Sequence, residues 1–209
     1  MSRVMTGASV SLDGYISGPG ESGFDKLFAW YDAGDIKFET THPEIPFNLT
    51  EADYAYLKGY VDGVGVLVVG RKLFDQIDGW GGIHPLDRPV VVVTHSVPED
   101  WLRAHPQAPF TFVTDGVAAA IERARQIAGD RNVGVNAGKI ASQCLELGLL
   151  DEVYLDLVPV VLGGATPAPA ETAARLAYVA YCFYMDRYFR SRRKRLVTPA
   201  SGREPIPQQ

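Results

Sequence analysis

Val64-Gly65-Val66-Leu67-Val68-Val69-Gly70-Arg71-Lys72-Leu73 is the stretch that decides the fold. Its first six residues are apolar or glycine without interruption, so an extended strand there has no face suited to water. Such a run belongs in a parallel sheet covered on both sides. Gly70 and Arg71 close the run where a helical pattern begins, and Val90-Val91-Val92-Val93 repeats the apolar signal. Working outward, strands are predicted over residues 4–10, 64–69, 90–94, 110–113, 133–136 and 153–158, with helices over 50–61, 71–77, 98–104, 117–128 and 139–147. The alternation specifies an α/β protein with a mostly parallel central sheet flanked by helices.

The remaining features set the frame for that sheet. A chain of 209 residues supports a single core, burying roughly 70% of the surface its unfolded form exposes. A hydrophobic content of 46% and a formal charge of −5 place it among globular proteins and exclude a nucleic-acid binder as a whole. Neither a leader pattern nor an apolar run of ~20 residues is present, so a cytoplasmic location is expected. Cys144 and Cys182 lack the paired spacing of a metal site and read as reduced structural thiols; no metal is expected. Residues 17–48 read as a long loop with partial helix around 24–31, a length typical of a functional cover. Thr50 and Asp53 have capping-box spacing, Asp115 precedes the helix at 117, and His84 and His105 are expected on surface loops.

Beyond Gly164 the character changes. Residues 165–180 are alanine-rich, 178–189 are rich in tyrosine and phenylalanine, and Arg190-Ser191-Arg192-Arg193-Lys194-Arg195 precedes a Pro/Gly/Gln tail. The expected organisation is one domain over 1–164 and, over 165–209, an atypical helical and basic C-terminus that is not a separate domain.

Four junctions carry the chemistry. Val68-Val69-Gly70-Arg71 runs from strand to helix, where free N–H groups and a guanidinium suit phosphate as well as they suit an ordinary turn. Thr94, His95 and Ser96 follow another buried strand and offer groups for a ribose or its phosphate, or simply a polar turn. Ala137, Gly138, Lys139 and Ile140 follow a third strand and would let a pyrophosphate approach the backbone, although no GxGxxG is present. Ser9-Val10-Ser11-Leu12-Asp13-Gly14-Tyr15-Ile16 ends the first strand in a tight turn. From the residues alone, Asp53 completes the Thr50-x-x-Asp cap pattern.

Taken together, Ser11-Leu-Asp-Gly-Tyr-Ile, Val68-Val-Gly-Arg-Lys, the strand end at Val90 to His95, Val135-Asn-Ala-Gly-Lys-Ile-Ala, and Gly148-Leu-Leu-Asp-Glu-Val-Tyr-Leu with Val158-Pro-Val-Val-Leu-Gly-Gly resemble the dihydrofolate-reductase-like superfamily. Within it the chain is similar to the reductase domain of the bacterial riboflavin-biosynthesis deaminase-reductase, over residues 3 to 164. The resemblance implies the three-layer fold of that superfamily and an NADPH-dependent reductase of a heterocyclic, ribosylamino-pyrimidine-like substrate. It further implies cofactor contacts at Ser9, Ile16, Gly70, Arg71, Thr94, His95, Ser96, Ala137, Gly138, Lys139 and Ile140, an acceptor site for which Asp13, Trp30 and Trp80 are candidates, and a catalytic assignment for Asp53 in competition with its reading as a cap, and it makes a homodimer reasonable. Leu73 stands where that family commonly has threonine, and Ala137-Gly138 where it commonly has two glycines. Two other classes remain: a catalytically weak nucleotide-binding relative, and an interaction protein acting through Arg187 to Arg195 on an acidic partner.

Overall fold

The computed structural model describes residues 2–45 and 47–163 of the chain. Its elements in order are β1 (Val4–Ser11), α1 (Phe24–Leu27), a 3-10 turn (Ala29–Asp32), β2 (Ile36–Phe38), β3 (Phe47–Leu49), α2 (Glu51–Gly63), β4 (Val64–Gly70), α3 (Arg71–Gln76), a second 3-10 turn (Asp78–Gly82), β5 (Val90–Val93), α4 (Glu99–Ala104), β6 (Phe110–Val113), α5 (Val117–Ala128), β7 (Asn132–Asn136), α6 (Lys139–Glu146) and β8 (Glu152–Val158). Six strands form one sheet in the order β6-β5-β4-β7-β1-β8, and every pairing in it is parallel. Short β2 and β3 pair antiparallel as a separate hairpin.

Alternation along the central strands sorts their side chains to two covered faces. Val66, Val68, Val91, Val133 and Val135 meet α5 and α6 on one side, in a cluster that includes Ala120, Ile121, Ala124, Ala141 and Cys144. The buried stripe of α5, Val117, Ala120, Ile121, Ala124 and Ala128, has the spacing of one helical face. Gly65 permits the close approach of that helix: a Cβ there would fall 2.9 Å from the backbone of Ala128. On the other side, Val69, Val90 and Val92 pack with Phe74 of α3 and with Trp80, Trp101 and Phe112, while α2 and the hairpin enclose Leu49, Leu57 and Val61. The result is a helix, sheet, helix sandwich, the three-layer arrangement expected from the sequence. Each fully buried valine contributes about 1.5–3 kcal/mol relative to exposure, and β4 and β5 hold six of them: Val64, Val66, Val68, Val90, Val91 and Val92.

All six predicted strands and all five predicted helices are present, with ends shifted by at most two residues. Residues 17–48 contain the partial helix, as α1 and the first 3-10 turn, but also β2 and β3's partner contact, which the sequence reading had as loop. Ile36-Lys37-Phe38 is too short to show a period, and its pairing with Phe47–Leu49 is fixed by rings from elsewhere: Phe38, Phe47, Tyr31 and Tyr54 pack together. Asp115 does not cap α5; Gly116 occupies that position with φ 89°, without a side-chain cap bond. His84 and His105 are not surface loop residues but half-buried, His84 edge-on against Trp80 and His105 stacked on Trp101. Cys144 is a buried free thiol, pushed up to about 11 by burial, and Cys182 lies outside the described residues. So do the predicted C-terminal helix, the basic run and the tail. Among the described residues no helix is long and apolar enough to cross a membrane.

Candidate functional site

Because the sheet is wholly parallel, the chain leaves every strand at the same edge. The segments after β1, β4, β5 and β7, which the sequence singled out separately, therefore share one edge of the sheet. Between β4 and β7 the connections part company. The chain from β4 enters α3 and packs Phe74 on one face, whereas the chain from β7 enters α6 and packs Ala141 and Cys144 on the other. Such a divergence is a topological switch point, the usual ligand position in open parallel sheets.

Backbone lines this switch point. Gly70 and Gly138 sit at the starts of α3 and α6, and neither start has a side-chain cap. The first N–H groups of α6 thus remain available to an anion. Gly138 has φ 105°, a conformation that L residues rarely adopt, and nothing lies within 4 Å of where its Cβ would be, so a ligand can approach the main chain there. A Cβ on Gly70 would lie 3.1 Å from Ile140 Cγ1, which shows how closely the two junctions meet. Ala137 is half-buried beside them and Lys139 is exposed. These residues fit a pyrophosphate.

Arg71 joins the β4 and β5 ends. Its guanidinium donates to Thr94 Oγ1 at 3.2 Å and to the Ser96 carbonyl at 2.8 Å, while its Nε meets Asp75 Oδ1 at 2.6 Å. Thr94 is buried, and its hydroxyl closes the turn by donating to the Ser96 carbonyl at 2.8 Å. His95 and Ser96 are exposed on that turn. Beside it runs an open groove of about 520 Å³ whose lining includes Arg71 together with Asp75, Asp78, Glu99 and Asp100. Four carboxylates therefore line that groove, a poor match for a phosphate.

The β1 end is built differently. Ser9 is buried, and its Oγ accepts the Trp30 indole N–H at 2.9 Å. Ser11 closes a tight turn, its amide donating to the Tyr15 carbonyl at 3.0 Å and its Oγ accepting from the Tyr15 amide at 2.9 Å. Asp13, a candidate for substrate binding, instead accepts the amides of Leu162 at 3.2 Å and Gly163 at 2.9 Å. The Ser11 hydroxyl and those amides hold its carboxyl below the usual range. Ile16 is 39% exposed, close in sequence to Leu12 at 58%, and Phe24 and Phe28 expose 41% and 45%. A ladder of rings, Phe24, Phe28, Tyr31, Trp30 and Tyr56, runs from there toward β8, with neighbouring centroids 4.0–6.4 Å apart. Trp80 is not part of it. It packs with the Phe74 cluster and against His84, in a left-handed turn with φ 51°.

Asp53 lies in the first turn of α2. Thr50 Oγ1 accepts its amide at 3.2 Å and donates to its carboxylate at 2.6 Å, so the predicted cap is present. Two residues that the sequence reading missed complete this region. Asp156 on β8 is the in-register neighbour of Ser9 on β1, and Tyr56 on α2 donates its hydroxyl to Asp156 Oδ1 at 2.7 Å. Burial, with the nearby Asp53 charge adding to it and the Tyr56 bond opposing it, raises the Asp156 carboxyl above its ordinary value. Burial, with Asp156 adding to it, pushes the Tyr31 phenol up to about 12. The available signal was a lone carboxylate inside Val153-Tyr-Leu-Asp-Leu-Val, whose two-residue period places it on the face of Tyr154.

No protein-family model matches the chain, and no curated protein matches it. Among solved structures it is similar to a protein from Shewanella sp. PV-4 provisionally assigned to riboflavin biosynthesis, with 20% identity, a TM-score of 0.56, and coverage of 79% of this chain and 81% of that one. At that identity the likeness is one of fold.

Proposed function

We propose that this chain is an NADPH-dependent reductase of a small nitrogen heterocycle, with a ribosylamino-pyrimidine as the substrate type. The observation that supports it is the convergence of the junctions at residues 70–71, 94–96 and 137–140 on one sheet edge, around the switch point between β4 and β7. The N–H groups at the start of α6, with Gly70 opposite, would hold the pyrophosphate. Arg71, Thr94, His95 and Ser96 would take the ribose end and its additional phosphate. Ser9 and Ile16 flank the position for the nicotinamide, and Trp30 the acceptor. When bound, NADPH supplies the hydride; the protein's task is to hold the two rings together and exclude water. The name of the Shewanella neighbour agrees with this reading.

A second reading, nucleotide binding without turnover, is favoured by one feature: Arg71 already holds Asp75, and the groove beside it is acidic. Titration of the full chain with NADPH, and NADH in parallel, tests both. Tight binding of NADPH with oxidation of it in the presence of amino-pyrimidine acceptors is the expected result. Binding without turnover across such acceptors would favour the second reading, and absence of NADPH binding would remove both.

A further inference from the structure

Asp156 has no place in the cofactor reading, yet it is the charged group most deliberately held at this end of the molecule. It stands beside Ser9 in the β1–β8 register, so it lies on the same face of the sheet as the residue that receives the Trp30 indole. Its Oδ1 is pinned by Tyr56, a residue 100 positions away in the chain. The groups that face it are Tyr56, Tyr60 and Asp53 from α2 and Tyr31 from the 3-10 turn. No lysine, arginine or histidine forms an ion pair with it among the described residues. A half-buried carboxylate without a cation is costly to keep charged, and a ligand that donates charged N–H groups removes that cost.

We propose that Asp156, oriented by Tyr56, is the specificity-determining residue of the acceptor site, and that it selects a planar acceptor presenting N–H donors, as an amidine-like or amino-substituted ring edge does. The surrounding rings of Trp30, Tyr31 and Tyr56 supply flat apolar surface, and the carboxylate supplies the direction. A planar anion meets both Asp156 and Asp53 and is rejected; a neutral ring without N–H groups gains only the stacking. The assignment of this face to an acceptor rests on the reductase reading, but the preference for N–H donors can be measured without turnover.

The test uses the full chain and three probes of one shape: benzamidine, benzamide and benzoate, titrated by calorimetry and ligand-observed NMR. Benzamidine is expected to bind, benzamide to bind at least about tenfold more weakly, and benzoate not at all. D156N should weaken benzamidine about tenfold or more, and D156E should restore part of the loss. Y56F, which removes only the orienting hydroxyl, should weaken it severalfold. Benzamidine affinity should also decline on acidification, beginning at a higher pH than an exposed aspartate titrates, because the half-buried carboxyl protonates early. Thermal melting and the NADPH affinity of each variant check that the fold and the cofactor side are intact. Equal binding of all three probes, absence of benzamidine binding, or unchanged affinity in D156N would overturn the proposal. Loss of NADPH binding alone would overturn the reductase reading and leave the probe preference standing.

Discussion

The two ends of the strand edge are made of different materials. On the β4, β5 and β7 side the surface is main chain: glycines, uncapped helix starts and a hydroxyl turn, with Arg71 bridging. On the β1 and β8 side it is side chain: five rings, a serine and a carboxylate. Main-chain donors at helix starts recognise phosphate without regard to what the phosphate is attached to. Rings and a directed carboxylate instead discriminate between planar molecules. One edge thus offers a general half and a selective half, and each can be perturbed without the other.

The largest effect should come from the packing beneath the first half. Phe74 is 2% exposed and edge-packed against Trp101, Phe110 and Phe112. Phe74→Ala should cost about 3–5 kcal/mol in denaturant unfolding, and should lower NADPH binding with it, because Arg71 begins the same helix. Retained nucleotide affinity in a destabilised Phe74→Ala chain would separate the junction from its support and break the picture of a rigid backbone half.

The contrast also explains what was legible in the sequence. The backbone half is announced by local punctuation: an apolar run, glycine and a helix start after β4 and again after β7, and an apolar run with a hydroxyl turn after β5. Its strands and helices were found with their ends nearly correct. The side-chain half depends on pairs distant in sequence, Ser9 with Trp30 and Tyr56 with Asp156, which only the packing of the first 3-10 turn on β1 and of α2 on β8 brings together. Trp80 was chosen for being aromatic and near glycines, and it went to the core because Gly79 packs against Phe74 and Trp101, where a Cβ would fall 2.6–2.7 Å from those rings. Asp13 looked available on its loop, yet the amides of Leu162 and Gly163 need an acceptor and claim it.

Acid should act through His84, which packs against Trp80 away from both halves' functional residues. Burial, with the charge of His42 adding to it, holds His84 down to about 4 from an ordinary 6.5. An unfolded chain therefore takes up that proton first. The stability tied to neutral His84 is complete above pH 6.5 and is lost as the pH falls toward 4, by about 3 kcal/mol at most. His42 acts in the opposite sense: the Ile83 carbonyl and Glu44 raise it, so its contribution is present at low pH and fades as the pH rises through its folded value. Unfolding free energies measured from pH 7 to 4 should decline in the native chain and decline less in His84→Asn, whose amide oxygen can still accept the Leu86 amide that His84 Nδ1 accepts at 3.1 Å. Parallel pH curves for the two would remove His84 from the account.

A smaller effect sharpens the general half. Arg71→Ala removes a guanidinium that faces Thr94 and Ser96, and should weaken NADPH by roughly 10- to 100-fold, the worth of one or two hydrogen bonds to a charged group. NADH, lacking the extra phosphate, should lose much less. Equal losses for the two nucleotides would mean that Arg71 only ties the β4 and β5 ends together through the Ser96 carbonyl.

The smallest effect should be at Asp53, a residue with two readings. Its carboxylate accepts the Thr50 hydroxyl, and its amide donates to the same oxygen, a local arrangement that α2 requires whatever lies opposite. Asp53→Asn keeps an oxygen that can accept the Thr50 hydroxyl and should cost no more than about 1 kcal/mol of stability, comparable with removal of a cap. If the residue is only a cap, turnover survives. Because Asp53 also opposes ionisation of Asp156, its neutralisation should shift the acid limb of benzamidine binding to lower pH, while leaving NADPH affinity unchanged. That shift is a readout which capping alone cannot produce. A hundredfold loss of turnover with unchanged folding would instead assign Asp53 to the chemistry, and would place the acid of the reaction on α2 with Asp156 as its neighbour.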